Sequence, residues 1–272
     1  MSRVAIIAGT GRLPALLADT LETREAGFVL AALPGVRVEG RVLEPFRFER
    51  LVPFMDRLHE LDVDRLIFAG GLRRPKLEPD QFDSRTMQLI PRVAAAMQGG
   101  DDAILREVLA IFEEDGFRVV GADEIAPELV PEAGILTTAQ PSPADERDVA
   151  RAAEIVRAIG AADVGQGAVV AQGLCLAAES LPGTDAMLDW VAGMQGLRPD
   201  PGGARGVLYK APKPGQERRM DLPAIGPRTV ERAVAAGLAG VAFEAGGVLL
   251  IDREEMVSIA DTAGLFLWAR QP

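Results

Sequence analysis

With 272 residues, of which 48% are hydrophobic and 25% charged, the chain can bury a full core and is long enough for one large or two ordinary domains. Its net charge of −11 disfavours general nucleic-acid binding, because such a surface needs basic residues to displace phosphate counterions. Its apolar runs are too short for a signal peptide or a membrane-spanning helix. We therefore expect no nucleic-acid partner and only peripheral contact with a membrane.

In chain order, residues 1–122 alternate short apolar runs with segments of helical periodicity. This alternation is typical of a parallel sheet with helices on both faces, so we predict a Rossmann-like, nucleotide-binding α/β domain. The predicted strands are residues 4–8, 28–33, 66–69 and 117–121, and the helical segments include residues 13–21, 51–58 and 105–112.

Prolines and small polar residues interrupt the pattern between residues 123 and 145, which predicts a linker. A second alternation follows and predicts a second α/β domain at residues 146–272, to which we assign catalysis and lipid binding. The predicted helices lie near 145–159, after 184, at 228–237 and near 253–260. The predicted strands are 168–171, 174–178, 207–210, a hairpin-like pair at 240–243 and 247–251, and 265–268.

Two glycine-rich turns follow predicted strands of the first domain. Gly9, Thr10 and Gly11 lead from the first strand into a helix, and Gly70 and Gly71 follow the third strand. The carboxyl ends of parallel strands meet at one edge of a sheet, so these turns are candidates for holding a nucleotide phosphate. A plain tight turn is the alternative. A dinucleotide fingerprint needs a third glycine and an acidic residue, which are missing here, so a nicotinamide dehydrogenase is disfavoured.

Acidic candidates lie at predicted helix starts and strand ends. Asp101 and Asp102 open a helix, where capping is the favoured interpretation and substrate contact the alternative. Glu179 follows a predicted strand and precedes Thr184 and Asp185 at the start of the next helix. Glu179 and Asp185 are candidate metal ligands and Thr184 is a candidate substrate contact, although Thr184 or Asp185 also suits a helix cap.

The segment 206–223 concentrates cations in an otherwise acidic chain. Two of the three lysines, Lys210 and Lys213, lie there beside two arginines, and Asp221 follows them. Cations against the prevailing charge favour an anionic ligand such as a diphosphate, and a solvated basic loop is the alternative. Mg²⁺ typically takes one or two protein carboxylates together with phosphate oxygens, so Asp221 is a candidate metal ligand.

The single cysteine and the single histidine are weak candidates for catalytic residues. Cys175 lies in an apolar run, which predicts a buried structural thiol, and one cysteine excludes an internal disulfide. His59 lies on a predicted surface helix, and a catalytic triad would have to use it. A metal cluster built from several histidines is excluded.

Taken together, these segments resemble the LpxI family of UDP-2,3-diacylglucosamine pyrophosphatases along essentially the whole chain. The likeness includes residues 6–14, 100–102, 173–179 and 183–185, and it is closest at 209–216, 221–226 and 236–247.

The resemblance implies hydrolysis of UDP-2,3-diacylglucosamine to UMP and 2,3-diacylglucosamine 1-phosphate (lipid X), a step of lipid A biosynthesis at the cytoplasmic face of the inner membrane. It also implies dependence on a divalent metal, usually Mg²⁺, and the family's essential aspartate matches Asp221. A cytoplasmic protein in peripheral contact with that membrane is expected. The oligomeric state, a homodimer included, stays open.

We therefore hypothesise that Asp221 holds the metal and that Lys210 and Lys213 clamp the diphosphate while water attacks the uridyl-side phosphorus. The glycine turns would hold the uridine nucleotide, and the second domain would hold the acyl chains. Two alternatives stay open: a module that binds a UDP-sugar without cleaving it, and a glycosyltransferase that releases UDP from the same donor. Metal-dependent release of UMP distinguishes the hydrolase from both.

Overall fold

The computed structural model describes residues 3–71, 77–99, 101–194, 196 and 198–272. The chain forms two compact units, each of α/β architecture as predicted. The first contains Met1–Pro127 and Glu217–Asp221, and the second contains Glu128–Gln216 and Leu222–Pro272. The division after Pro127 lies inside the segment predicted as a linker, and that segment also contributes secondary structure to both units.

The first unit is built on a parallel sheet. Its described strands are β1 (Arg3–Ala8), β2 (Phe28–Ala32), β3 (Glu44–Pro45), β4 (Val63–Ala69) and β5 (Arg118–Val119), in the spatial order β3-β2-β1-β4-β5. Its described helices are α1 (Leu13–Thr23), α2 (Leu51–Glu60), α3 (Ser84–Met87), α4 (Ile90–Ala96), α5 (Asp101–Glu114) and α6 (Ala122–Ile125). Each element predicted for this part of the chain is confirmed, whereas β3, α3, α4 and α6 were not predicted.

Alternation along β1 decides which helices cover each face of this sheet. Ala5 and Ile7 belong to a core that includes Leu58 of α2 and Phe112 of α5. Successive side chains of a strand point to opposite faces, so the residues between them face the other side. There α1 packs on β1 and β2, and α6 packs on β4. Helices therefore cover both faces, as the alternating pattern predicted.

The second unit is built on a mixed sheet. Its described strands are β6 (Gly134–Ile135), β7 (Gly167–Ala171), β8 (Leu174–Ala178), β9 (Val207–Lys210), β10 (Ala224–Ile225), β11 (Gly240–Glu244), β12 (Leu249–Leu250) and β13 (Phe266–Arg270). The main sheet has the order β6-β13-β11-β9-β7-β8, in which β9, β11 and β13 run parallel to one another. The described helices are α7 (Pro143–Ala161), α8 (Gly183–Gly193), α9 (Pro227–Ala235) and α10 (Arg253–Ala263).

A capping box starts α7, which covers one face of this sheet. Ser142 Oγ accepts from Asp145 N at 3.3 Å, while Asp145 Oδ2 accepts from Ser142 N at 2.9 Å, so two backbone donors at the helix start are satisfied. Val170 and Tyr209 pack in the α7 core. Val169, one residue along β7, packs on the opposite face among side chains of α8, α9 and α10.

The predicted hairpin at residues 240–243 and 247–251 is wrong. Strand β11 lies between β9 and β13, so both of its edges already carry parallel partners. Strand β12 instead pairs in parallel with β10. The two glycines between the strands have different roles: Gly246 has a φ of +71°, whereas a Cβ at Gly247 would lie 2.6 Å from Glu244 Oε1.

The prediction of a buried Cys175 is also wrong. Cys175 lies on β8, the last strand of the sheet, where one backbone edge has no strand neighbour among the described residues, and its side chain is exposed. Partial desolvation nevertheless raises the pKa of its thiol above the ordinary value. An apolar run is therefore compatible with an exposed edge strand as well as with a buried one. Within the described residues, no helix combines the length and apolarity that crossing a membrane requires.

Strand β9 presents neighbouring side chains to opposite faces. Tyr209 is 3% exposed in the core beneath α7, whereas Lys210 bonds to Thr184 of α8 on the other face. Burial raises the pKa of the Tyr209 phenol and nearby Glu244 raises it further, while Arg270 acts in the opposite direction. A one-residue slip in the register of β9 would exchange Tyr209 and Lys210 between the faces.

The titration of Tyr209 tests the burial of its phenol, because the chain has one tyrosine and its phenolate absorbance reports on that residue alone. We expect the native phenol to titrate above its ordinary pKa of about 10 and to return to about 10 in urea. The raised native pKa contributes stability at pH values below about 10, which is lost as the pH rises through the native midpoint. A native midpoint at or below that of the unfolded chain would contradict this burial.

Candidate functional site

Strands β9, β11 and β13 end at one edge of the second unit's sheet, with Lys210, Glu244 and Arg270 at their carboxyl ends. Because β7 runs antiparallel to β9, it begins at this edge with Gly167 opposite Lys210. Strand β8 reaches the same edge just before Glu179. Ligands of open α/β sheets bind outside the carboxyl ends of the strands, so this edge is the candidate site.

A buried chain of hydrogen bonds, which we call the lysine relay, connects Lys210, Thr184 and Glu179. Lys210 Nζ donates to Thr184 Oγ1 at 2.8 Å, and Thr184 Oγ1 donates to Glu179 Oε2 at 2.6 Å. These residues are 7%, 8% and 7% exposed. Lys210 Nζ also donates to the carbonyl oxygen of Ala224 at 3.3 Å. One hydroxyl therefore links an ammonium group to a carboxylate in a site largely removed from bulk water.

Two glycines make room for the carboxylate of the lysine relay. A Cβ at Gly167 would lie 2.6 Å from Glu179 Oε2, and a Cβ at Gly165 would overlap the backbone of Glu179. Gly167 also accepts the backbone N–H of Glu179 at 2.8 Å. The start of β7 therefore holds the backbone of Glu179 by a hydrogen bond and leaves space for its carboxylate. Neither glycine was identified as a site residue from the sequence. The Gly-x-Gly spacing of residues 165 and 167, directly before the apolar run 168–171, is the pattern that could have indicated them.

Lys213, predicted as a second diphosphate clamp, has its described side-chain contact elsewhere. Its Nζ forms an ion pair with Asp163 Oδ1 at 2.7 Å, just beyond the end of α7, and its side chain is 25% exposed. Its backbone N–H donates to Gln216 Oε1 at 2.9 Å. The contacts described for Lys213 thus hold it near α7 rather than in the lysine relay.

Asp185, predicted as a metal ligand, lies between two arginines of α9. Its Oδ2 is 3.1 Å from Arg228 Nη2 and 2.9 Å from Arg232 Nη1. Asp189 and Asp185 together raise the pKa of Arg232. Over the part of the chain that the structure describes, no group of three His, Cys, Asp or Glu side chains is arranged to hold a metal ion. The metal role of Asp185 stays a prediction.

Asp221 is an exposed residue at the end of the segment Glu217–Asp221, which belongs to the first unit. Arg219 anchors this segment through an ion pair with Glu113 of α5 at 2.7 Å, and it also pairs with Glu217 inside the segment at 2.9 Å. The hydrogen bond from Arg219 lowers the pKa of Glu217. The backbone N–H of Asp221 donates to Glu217 O at 3.2 Å. The predicted metal ligand is therefore an exposed carboxylate on a segment held in place by salt bridges.

The two glycine turns of the first unit meet at the carboxyl ends of β1 and β4. Thr10 N donates to Gly71 O at 2.8 Å, and Gly71 N donates to Thr10 O at 2.9 Å. A Cβ at Gly9 would lie 2.5 Å from Gly71 O, and a Cβ at Gly70 would overlap Thr10 O. The mutual approach of the turns therefore explains Gly9 and Gly70, whereas Gly11 has a φ of +102° and no described atom within 4 Å of where a Cβ would lie. Phosphate binding by the turns stays a prediction.

The remaining candidates of the first unit lie at helix ends. Asp101 and Asp102 are the first residues of α5, and their side chains lie outside the described part of the structure. His59 Nε2 lies 2.8 Å from Asp115 Oδ2, and its ring stacks on Phe117 with centroids 4.3 Å apart. These contacts give His59 a structural role on the surface of α2.

Family models match almost the whole chain. The LpxI N-terminal domain matches residues 3–129, and the LpxI C-terminal domain matches residues 132–268. The chain belongs to the LpxI family. It is 38% identical to the UDP-2,3-diacylglucosamine pyrophosphatase LpxI of Caulobacter vibrioides, in an alignment that covers 100% of this chain and 99% of that protein. The resemblance inferred from the sequence is thus confirmed.

The LpxI C-terminal domain match contains the lysine relay and Asp221, and the N-terminal match contains both glycine turns. Sequence reasoning identified Glu179, Thr184 and Lys210 separately, as a metal ligand, a substrate contact and a catalytic cation. It did not join them, and it did not identify the Ala224 carbonyl. A backbone carbonyl carries no residue-type signal, so only the fold could reveal this contact.

The backbone bridge between the two glycine turns, formed by Thr10 and Gly71, predicts different stability losses at two glycines that have nearly the same φ. Gly70 has φ +86° and Gly35 has φ +87°, but only Gly70 has backbone atoms where a Cβ would lie. We expect Gly35→Ala to lower the free energy of unfolding by about 1–2 kcal/mol, because only the strain of a left-handed backbone at alanine opposes folding there. Gly70→Ala should lose roughly 1–3 kcal/mol more because of overpacking. Equal losses in urea titrations of the two variants would contradict the bridge.

Proposed function

We propose that this protein hydrolyses the diphosphate of UDP-2,3-diacylglucosamine to UMP and 2,3-diacylglucosamine 1-phosphate (lipid X) in lipid A biosynthesis. The end-to-end similarity to a family member named for this pyrophosphatase activity carries the proposal. Both LpxI domain matches support it, because they lie in the family's N-terminal to C-terminal order and together cover residues 3–129 and 132–268.

We propose Lys210 as the cation that stabilises charge on the diphosphate. Its ammonium group lies at the carboxyl edge of the sheet and is largely removed from water. A positive charge attracts phosphate oxygens more strongly there than in bulk solvent, because the effective dielectric is lower. Lys213, partly exposed in its pair with Asp163, is proposed as a second cation for the same group.

We propose that Asp221 holds Mg²⁺ or another divalent cation. The donor chemistry fits, because Mg²⁺ is bound by one or two carboxylates together with waters and substrate phosphate oxygens, and Asp221 is an exposed carboxylate. When bound, such an ion supplies charge neutralisation at the phosphate oxygens. Glu179 and Asp185, predicted as further ligands, have other partners in the structure: Glu179 accepts from Thr184, and Asp185 pairs with Arg232.

The two ends of the substrate call for different environments. We propose that the glycine turns of the first unit and the start of α5 at Asp101 and Asp102 bind the uridine nucleotide, since the carboxyl ends of β1 and β4 are adjacent there. The second unit is proposed for the acyl chains. We also propose that the protein is cytoplasmic and contacts the inner membrane peripherally. The membrane contact is proposed because the substrate and the product are lipids.

Replacing Asp221 tests its role directly. We expect Asp221→Asn to slow UMP release from UDP-2,3-diacylglucosamine by more than about 100-fold while leaving the fold intact, because the substitution removes a charge and keeps the shape. Asp80→Asn, which changes another exposed carboxylate, should retain nearly the full rate. A near-normal rate for Asp221→Asn would refute the role. Release of UDP by the wild-type protein would indicate a glycosyltransferase, and binding without cleavage a binding module.

Removing the metal gives an independent test. We expect EDTA to stop UMP release and added Mg²⁺ to restore it, because a hard cation with few protein ligands is readily chelated. The half-saturating Mg²⁺ concentration should rise in Asp221→Glu, which moves the carboxylate. In Asp185→Asn it should stay unchanged if the two arginines, and not a metal, are the partners of Asp185. Full activity in EDTA would contradict the proposed metal dependence.

A further inference from the structure

The lysine relay brings two opposite charges into a poorly hydrated place without direct contact between them. Lys210 and Glu179 are each 7% exposed, and the Thr184 hydroxyl lies between them. A buried charge is unfavourable unless an opposite charge and hydrogen bonds compensate it. Glu179 therefore compensates the ammonium group of Lys210 across one intervening hydroxyl.

The single hydroxyl proton of Thr184 decides which atom donates in each hydrogen bond of the lysine relay. Thr184 has one hydroxyl proton, and the 2.6 Å bond to Glu179 Oε2 uses it. Its oxygen must then accept from Lys210 Nζ, at 2.8 Å. The Ala224 carbonyl is a further described acceptor, and its contact with Lys210 Nζ at 3.3 Å also constrains the orientation of the ammonium group.

Both ends of the lysine relay are anchored on paired strands. Gly167 lies opposite Lys210 in the β7–β9 register, and Gly167 O accepts the backbone N–H of Glu179. The spacing between the carboxylate and the ammonium group is therefore set by the sheet and not by flexible loops.

We propose that Glu179 and Thr184 are positioning residues that hold the Lys210 ammonium group in one orientation for the diphosphate, with Glu179 acting as its counter-charge through Thr184 rather than as a metal ligand. This inference rests on the proposed hydrolysis and deepens it. The surroundings of Glu179 support the assignment, because the side chain is closely flanked by Gly167. A Mg²⁺ ion that keeps several waters needs more room than such an enclosed carboxylate offers.

Two substitutions at Thr184 separate positioning from packing. Thr184→Val keeps the side-chain shape and removes the hydroxyl, whereas Thr184→Ser keeps the hydroxyl and removes a methyl group. We expect Thr184→Ser to stay within about 3-fold of the wild-type kcat and Thr184→Val to lose about 10- to 100-fold, since a buried donor loses its acceptor. The half-saturating Mg²⁺ concentration should not change in either variant. The reverse order, with the valine variant active and the serine variant impaired, would overturn the relay.

A second measurement does not depend on turnover. The chain has three lysines, so ¹⁵N-lysine labelling yields few side-chain ammonium signals, and Lys210→Arg identifies that of Lys210. We expect this signal to shift in Thr184→Val and in Glu179→Gln and to stay nearly in place in Thr184→Ser. If the wild-type protein released no UMP, the proposed function would fail while this spectrum still tested the relay. An unmoved signal in Glu179→Gln, with a raised half-saturating Mg²⁺ concentration, would make Glu179 a metal ligand and overturn the inference.

Discussion

The buried ammonium group of Lys210 is the constraint around which the edge of the second sheet is built. A charge that is largely removed from water needs compensation, and the fold provides it through the hydroxyl of Thr184 and the carboxylate of Glu179. Strand β9 has neighbours on both sides, so its backbone cannot shift to bring Lys210 into solvent. A side chain at Gly167 would displace the compensating carboxylate from its place, because a Cβ there would lie 2.6 Å from Glu179 Oε2.

Periodicity predicted the helices and most of the strands well, because burial of one face imposes a repeat that is visible in a single sequence. Strand pairing was harder to predict. The pair at 240–243 and 247–251 looked like a hairpin, yet β11 pairs with β9 and β13, whose partner residues are distant in sequence. Cys175 was misjudged for a related reason: an apolar run does not reveal whether its strand lies at the edge of the sheet.

The residue types of the candidate site were predictable, but their assembly was not. Scarce lysines and a carboxylate after a strand drew attention to Lys210 and Glu179, whereas their connection depends on the antiparallel pairing of β7 with β9. Asp221 illustrates the same limit. Its segment belongs to the first unit partly because Arg219 pairs with Glu113, which is 106 residues away, and no local pattern signals such a contact.

Glycine-rich turns carry an ambiguity that only neighbouring atoms resolve. At Gly9 and Gly70 the absent side chain permits two backbones to bridge, and the amides of Thr10 and Gly71 are occupied by that bridge. A phosphate bound at this edge would therefore have to use other donors. At Gly167 the absent side chain instead makes room for a carboxylate. The same residue type thus supports backbone bridging in one unit and charge compensation in the other, which is why a glycine pattern alone does not identify a phosphate site.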